Sequence, residues 1–133
     1  GTRSPDGRLY KGRTGVARMA LASGVPVIPV AVADTAPIRT AIGLPWIWKP
    51  RIVIGRPHDF SAYAALAEDR DTLRWITDEI MHDIQQLSGQ AYIDGYGTSV
   101  KTGSLSAAEV EARMLPRPGY GATPPPVPSG GLS

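Results

Sequence analysis

The stretch Thr14–Val32, TGVARMALASGVPVIPVAV, sets two different periods side by side. Val16, Met19 and Ala20 recur at helical spacing, Thr14 stands where a cap belongs and Gly24 where a helix closes, which predicts a helix over residues 14–23. From Val25 to Ala33 the chain turns β-branched and apolar without a polar alternation, so a strand buried on both faces is expected. Pro26 and Pro29 remove ladder donors and push that strand to a late start or to a sheet edge.

Downstream, residues 36–50 are broken by three Pro and one Gly, and RIVIGRPHDF (Arg51–Phe60) supplies a second short strand ended by Gly55 and Pro57. Helix, apolar strand, loop and strand again point to an α/β fold. A longer helix is expected from Asp69 or Asp71 to Ser88 and Gly89, with Leu73, Ile76, Ile80, Ile84 and Leu87 in one stripe and Trp75 and Met81 widening it. Past Gly97 the period decays. Ser104 or Ser106 can cap a short helix over 105–115, but residues 116–133 hold six Pro and four Gly, and a mostly disordered tail is expected over 97–133. Its PPPVP reads as a solvated end or a polyproline II ligand. The folded portion is accordingly assigned to residues 1–96.

The 133 residues suit one domain, and the absence of cysteine excludes disulfides, thiolate catalysis and cysteine-ligated metals. No apolar run reaches the roughly 18 residues that cross a bilayer. The net charge of +2 conceals an asymmetry: residues 1–60 carry nine Lys/Arg against three acids, residues 61–96 two against seven. An anionic partner is therefore expected to meet the first half.

That half opens with GTRSPDGRLYKGRTG, in which Thr2, Arg3, Ser4, Arg8, Lys11 and Arg13 lie in or beside a Gly-containing loop leading into a helix. Backbone amides at a helix start and planar guanidinium groups both suit a phosphate. Spacing alone leaves an anion site and a solvated basic loop both open. LPWIWKP (Leu44–Pro50), two tryptophans beside Lys49, likewise suits a bilayer headgroup boundary or a loop packing its aromatics on the domain.

GTRSPDGRLYKGRTGVARMALASGVPVIPVAV resembles the third and fourth blocks of the glycerolipid acyltransferases, specifically the bacterial 1-acyl-glycerol-3-phosphate acyltransferases. Gly1, Thr2, Arg3 and Ser4 match the end of the block Phe-Pro-Glu-Gly-Thr-Arg-Ser; Lys11-Gly12 and Val25–Val30 match later positions. With the helix ITDEIMHDIQQLSGQAYIDGYG, the resemblance covers about residues 1–96. It implies the C-terminal part of that family's α/β fold, a sheet with covering helices. It further implies Gly1, Thr2, Arg3 and Lys11 at the substrate phosphate, Ser4 in a backbone turn, and Pro29 on a substrate-lining strand. The implied reaction moves a fatty acyl group from acyl-CoA or acyl-carrier protein to lysophosphatidic acid, with no cofactor or metal, at the cytoplasmic side of the cell membrane, where the protein is peripheral or anchored by an upstream segment.

The family's His-x-x-x-x-Asp dyad has no counterpart. His58 is followed by Asp59 at once and by Tyr63 five positions on, and His82 by Leu87. His58 reads as a strand-exit residue and His82 as a helix-surface residue. No catalytic residue is thus expected here; the dyad is expected upstream, and the chain alone is expected to be inactive. Two alternatives stand beside this: acylation of glycerol 3-phosphate or another lysolipid, and a non-catalytic basic anion-binding module. Nucleic acid is disfavoured, because the loop offers one Tyr for stacking and the helix from Asp69 is acidic.

Overall fold

The computed structural model describes residues 4–33 and 50–129, and between them the backbone of Ile38–Arg39 and Pro45–Trp46. Gly1, Thr2 and Arg3 lie outside the described residues, as do Leu44, Ile47, Trp48 and Lys49 of the tryptophan-bearing loop. In chain order the elements are β1 (Leu9–Tyr10), α1 (Gly15–Ser23), β2 (Val30–Ala33), β3 (Ile38–Arg39), β4 (Pro45–Trp46), β5 (Arg51–Ile54), a 3-10 helix (Ser61–Leu66), α2 (Arg70–Ser88), β6 (Tyr92–Ile93), α3 (Gly97–Lys101), α4 (Ala107–Ala112) and β7 (Met114–Leu115). This is a small mixed α/β arrangement. β2 pairs antiparallel with β5, β3 with β4, and β6 is the middle strand of a sheet, parallel to β1 and antiparallel to β7.

α2 is the spine. Asp69 caps it by accepting from the Thr72 amide at 2.8 Å, and Gly89 closes it at φ 70°, whose left-handed backbone glycine adopts without strain. Its apolar stripe carries Leu73, Ile76 and Ile80 into a core with Ala17 and Leu21 of α1 and with Phe60; Ile84 and Trp75 pack at the margin. α1 forms over the expected residues and ends at Gly24 (φ 67°), although the Thr14 side chain makes no cap bond.

A second core joins Tyr10, Ile93, Leu105 and Val110. It depends on residues 97–115, where the composition predicted mostly disorder. Ser106 and Glu109 form a reciprocal capping box that starts α4, and Val110 and Leu105 bury their side chains. Order continues past α4: Pro118 is fully buried, and Arg117 donates to Glu79 of α2. Pro and Gly lower the gain from local structure, but docking onto α2 and β6 supplies what composition does not measure.

The apolar strand also differs from expectation. Pro26 and Pro29 delay β2 to Val30, with only a bridge between Val27 and His58 before it. It is not buried on both faces. Ala31 faces α2 and is buried, whereas Val30 and Val32, with their cross-strand partners Ile54 and Ile52, are 44%, 50%, 68% and 61% exposed. These four side chains make one open apolar face on the β2–β5 pair.

Ile76 has no exposed surface. Ile76→Ala is expected to cost about 2–5 kcal/mol, read as a lower urea midpoint with unchanged slope. A Cβ at Gly12 would lie 2.9 Å from both Thr77 Cγ2 and Met81 Cγ, so Gly12→Ala is expected to cost roughly 1–3 kcal/mol in the same assay.

Candidate anion-binding site

The basic loop folds because its backbone finds partners far along the chain. The Leu9 amide donates to the Ala91 carbonyl and the Lys11 amide to the Gly95 carbonyl, each at 2.9 Å, while Gln90 Nε2 donates to the Gly7 carbonyl at 2.6 Å. Beneath, Arg74 of α2 donates from Nη1 to the Gly12 carbonyl at 2.8 Å, its fork held by Asp78. The loop thus becomes one wall of an open cavity of about 460 Å³. Ser4, Arg8, Lys11 and Arg13 line it, with Met81 of α2 and Tyr96 at the entry to α3.

Each cation is already steadied by a neighbour. Lys11 Nζ lies 2.9 Å from Asp94 Oδ1, Arg13 stacks its guanidinium 5.1 Å from the centre of the Tyr96 ring, and Arg8 pairs with Asp6 and with Glu111 of α4. Asp6 is the acceptor beneath the loop: Oδ1 takes the Ser4 hydroxyl at 3.3 Å and the Arg8 amide at 3.1 Å, and Oδ2 takes the Tyr10 hydroxyl at 2.8 Å. Burial pushes the Asp6 carboxyl up, but the Tyr10 hydroxyl, the Arg8 amide and guanidinium, and Ser4 outweigh it and hold it below its ordinary value. Burial first, and then the bond to Asp6, pushes the Tyr10 hydroxyl up to about 12. The wall of the cavity thus carries three cations, Arg8 and Lys11 paired with carboxylates and Arg13 over an aromatic ring.

Of the residues expected at a phosphate, Lys11 lines this cavity, while Gly1, Thr2 and Arg3 lie outside the described residues. Pro29 lines a different cleft, of about 220 Å³, with Arg56, Asp83 and Gln86. Gln90, Tyr96 and Thr98 line the cavity without any local signal in the sequence, because parallel pairing of β1 with β6 brings them to the loop, while Met81 reaches it from α2 where Gly12 approaches.

The histidines also find partners that spacing did not reveal. His58 Nδ1 lies 2.8 Å from Asp83 Oδ2 on α2, and its ring stacks on Phe60 at 4.1 Å between centres. This fastens the exit of β5 to the helix. His82 is half-buried, and its Nδ1 is enclosed without a partner among the described residues, so the surface position expected for it does not hold. Among the described residues no group of three or more metal-ligating side chains gathers, and no helix is long and apolar enough to cross a membrane.

Comparison of the chain with protein families, with curated proteins and with solved structures returns no match.

The lowered Asp6 carboxyl contributes stability that is complete above its unfolded value of 3.8 and is lost as pH falls through the lower folded value. The raised Tyr10 hydroxyl contributes stability present below pH 10.0 and lost as pH rises toward about 12. Tyr92, held up by burial and then by Asp78 and Asp94, also ionises late. An alkaline absorbance titration is expected to show late ionisation of Tyr10 and Tyr92, and loss of the Tyr10 contribution in Tyr10→Phe.

Proposed function

We propose that this chain holds the phosphate of a lysophosphatidic acid while a fatty acyl group passes to the acceptor's free hydroxyl from acyl-CoA or acyl-carrier protein. Phosphatidic acid for phospholipid synthesis is the product. One observation carries the reading: Ser4, Arg8, Lys11 and Arg13 converge on a single open cavity directly after the Gly1-Thr2-Arg3 motif. A phosphate monoester matches the guanidinium fork of an arginine and the point charge of a lysine.

In the transfer, the hydroxyl oxygen attacks the thioester carbonyl, the carbon–sulfur bond breaks, an ester forms and the thiol departs. The hydroxyl proton must pass to a base. Neither histidine here has an acid five positions on, so the reading assigns the phosphate, and not the base, to this chain. On this reading the α/β arrangement is that of a glycerolipid acyltransferase, with Pro29 shaping the start of its substrate-lining strand. The lipid acceptor sets the place of action at the cytoplasmic membrane surface.

The test is acyl transfer to lysophosphatidic acid by the intact enzyme that carries this chain. Arg3→Ala is expected to lower kcat/KM for the acceptor about tenfold or more, about 1.4 kcal/mol per factor of ten, while Arg18→Ala on α1, outside the cavity lining, leaves it unchanged. Unchanged turnover and acceptor affinity in Arg3→Ala would remove the role given to Arg3, and absence of acyl transfer by the intact enzyme would remove the function.

A further inference from the structure

We infer that His58 and Asp83 form a proton-transfer pair serving the cleft beside Pro29, and that this cleft hydrolyses a small acyl ester bearing a negative charge. His58 Nε2 is the base, Asp83 is the residue that positions the imidazole, and Arg56 meets the charge of the substrate. The pair stands apart from the basic cavity and does not rest on acyl transfer to a lipid.

The imidazole is fixed from three sides. The His58 amide donates to the Val27 carbonyl at 2.8 Å, and the His58 carbonyl accepts from the Val27 amide at 2.9 Å. The ring stacks on buried Phe60 with 25° between planes, and Phe60 in turn meets Trp75 edge-on at 6.4 Å between centres. From α2, Asp83 Oδ2 lies 2.8 Å from Nδ1. An ionised carboxylate only accepts, so Nδ1 carries the hydrogen and the lone pair of the neutral ring lies on Nε2. Nε2 makes no hydrogen bond among the described residues and, unlike Nδ1 of His82, is not enclosed. A general base needs this arrangement: one ring nitrogen held by an acid, the other free at a cleft.

The cleft sets the size and charge of the substrate. Its volume of about 220 Å³ is below the roughly 300–1,000 Å³ of pockets that enclose drug-sized ligands, so the substrate is small. Pro29, Pro57 and Leu87 make its apolar wall, closed tightly at Gly55, where a Cβ would lie 2.8 Å from Pro29 Cγ and 2.9 Å from Leu87 Cδ1. Its remaining polar groups are Gln86 and Arg56, both exposed. Whereas Arg8 and Lys11 are paired with carboxylates, Arg56 makes no hydrogen bond or ion pair among the described residues, and its charge is open to an anionic substrate.

In the reaction a water oxygen attacks the ester carbonyl carbon while its proton passes to Nε2, and Asp83 stabilises the imidazolium that results. The bond from the carbonyl carbon to the leaving oxygen then breaks, and the imidazolium returns its proton to that oxygen. A carboxylic acid and an alcohol are the products, and His58 ends as it began. One imidazole and one cation suit a leaving group that departs readily, which is why an ester and not an amide is the substrate class.

The probe is 4-acetoxy-3-nitrobenzoate, an anionic activated acetate whose released phenolate absorbs visible light, given to the full 133-residue chain. Its hydrolysis is expected to saturate and to run at least about tenfold faster than with an equal concentration of 4-methylimidazole. His58→Gln is expected to remove that excess. Asp83→Asn is expected to lower kcat about tenfold with KM kept, and Asp83→Glu to recover part of it. The nitrogen-15 spectrum of the neutral His58 ring is expected to show hydrogen on Nδ1, and both tautomers in Asp83→Asn, a change that a purely structural pair would not couple to kcat. Arg56→Ala is expected to raise KM about three- to tenfold for this anion and to leave uncharged 4-nitrophenyl acetate unaffected. Should a His58 or Asp83 variant unfold by far-ultraviolet dichroism, diethyl pyrocarbonate on the unsubstituted chain replaces it: carbethoxylation of His58 is expected to abolish hydrolysis and hydroxylamine to restore it. A rate no faster than 4-methylimidazole, an unchanged rate after loss or carbethoxylation of His58, unchanged kcat in Asp83→Asn, or the same KM for the anion in Arg56→Ala overturns the inference. Loss of acyl transfer to lysophosphatidic acid in the intact enzyme bears on the proposed function alone, since that reaction is assigned to the other cavity.

Discussion

Gly12 brings the backbone of the basic loop against the side of α2, so close that a single Cβ would meet Thr77 and Met81. The approach leaves the Gly12 carbonyl part-buried, and Arg74 answers it with a donor whose own charge is matched by Asp78, a buried carboxylate. A bidentate pair one turn apart on the helix thus becomes a clamp on a distant loop. The cavity exists because the clamp fixes the loop's height above Met81, while Tyr10 and Leu9 are fixed by pairing with β6.

Two small cores stand beside this contact. One packs α1 and Phe60 against the stripe of α2, and the other packs α3 and α4 against Tyr10 and Ile93. The basic cavity opens between loop, helix and C-terminal segment, so both cores support it. The β2–β5 pair is covered by α2 on one face only. Its other face, with Val30, Val32, Ile52 and Ile54, is the largest departure from the rule that a strand so rich in β-branched residues is enclosed.

Much of the local structure was legible because local chemistry decides it. Gly24 and Gly89 close the two long helices at the places their periods end, and Asp69 caps α2 where the stripe begins. Pro26 and Pro29 delayed β2 as an imino residue must. The reading failed where stability comes from docking. Pro118 and the capping box at Ser106 sit in a stretch whose composition signals disorder, yet Pro118 is enclosed and α4 closes the second core. Asp83 was likewise invisible as a partner of His58, since 25 residues of sequence separate two side chains that α2 and the exit of β5 bring to 2.8 Å.

Sequence by itself determined the alternation of helix and strand, the gathering of cations in the first sixty residues, and the presence of a basic loop that leads into a helix, all of them properties of near neighbours or of composition. Only the tertiary structure decided which cations share a cavity, which carboxylates hold them, and which face of the apolar strand is covered. Those depend on pairings such as Lys11 with Asp94 and Arg8 with Glu111, across 83 and 103 residues, and no local period encodes a contact made at that range.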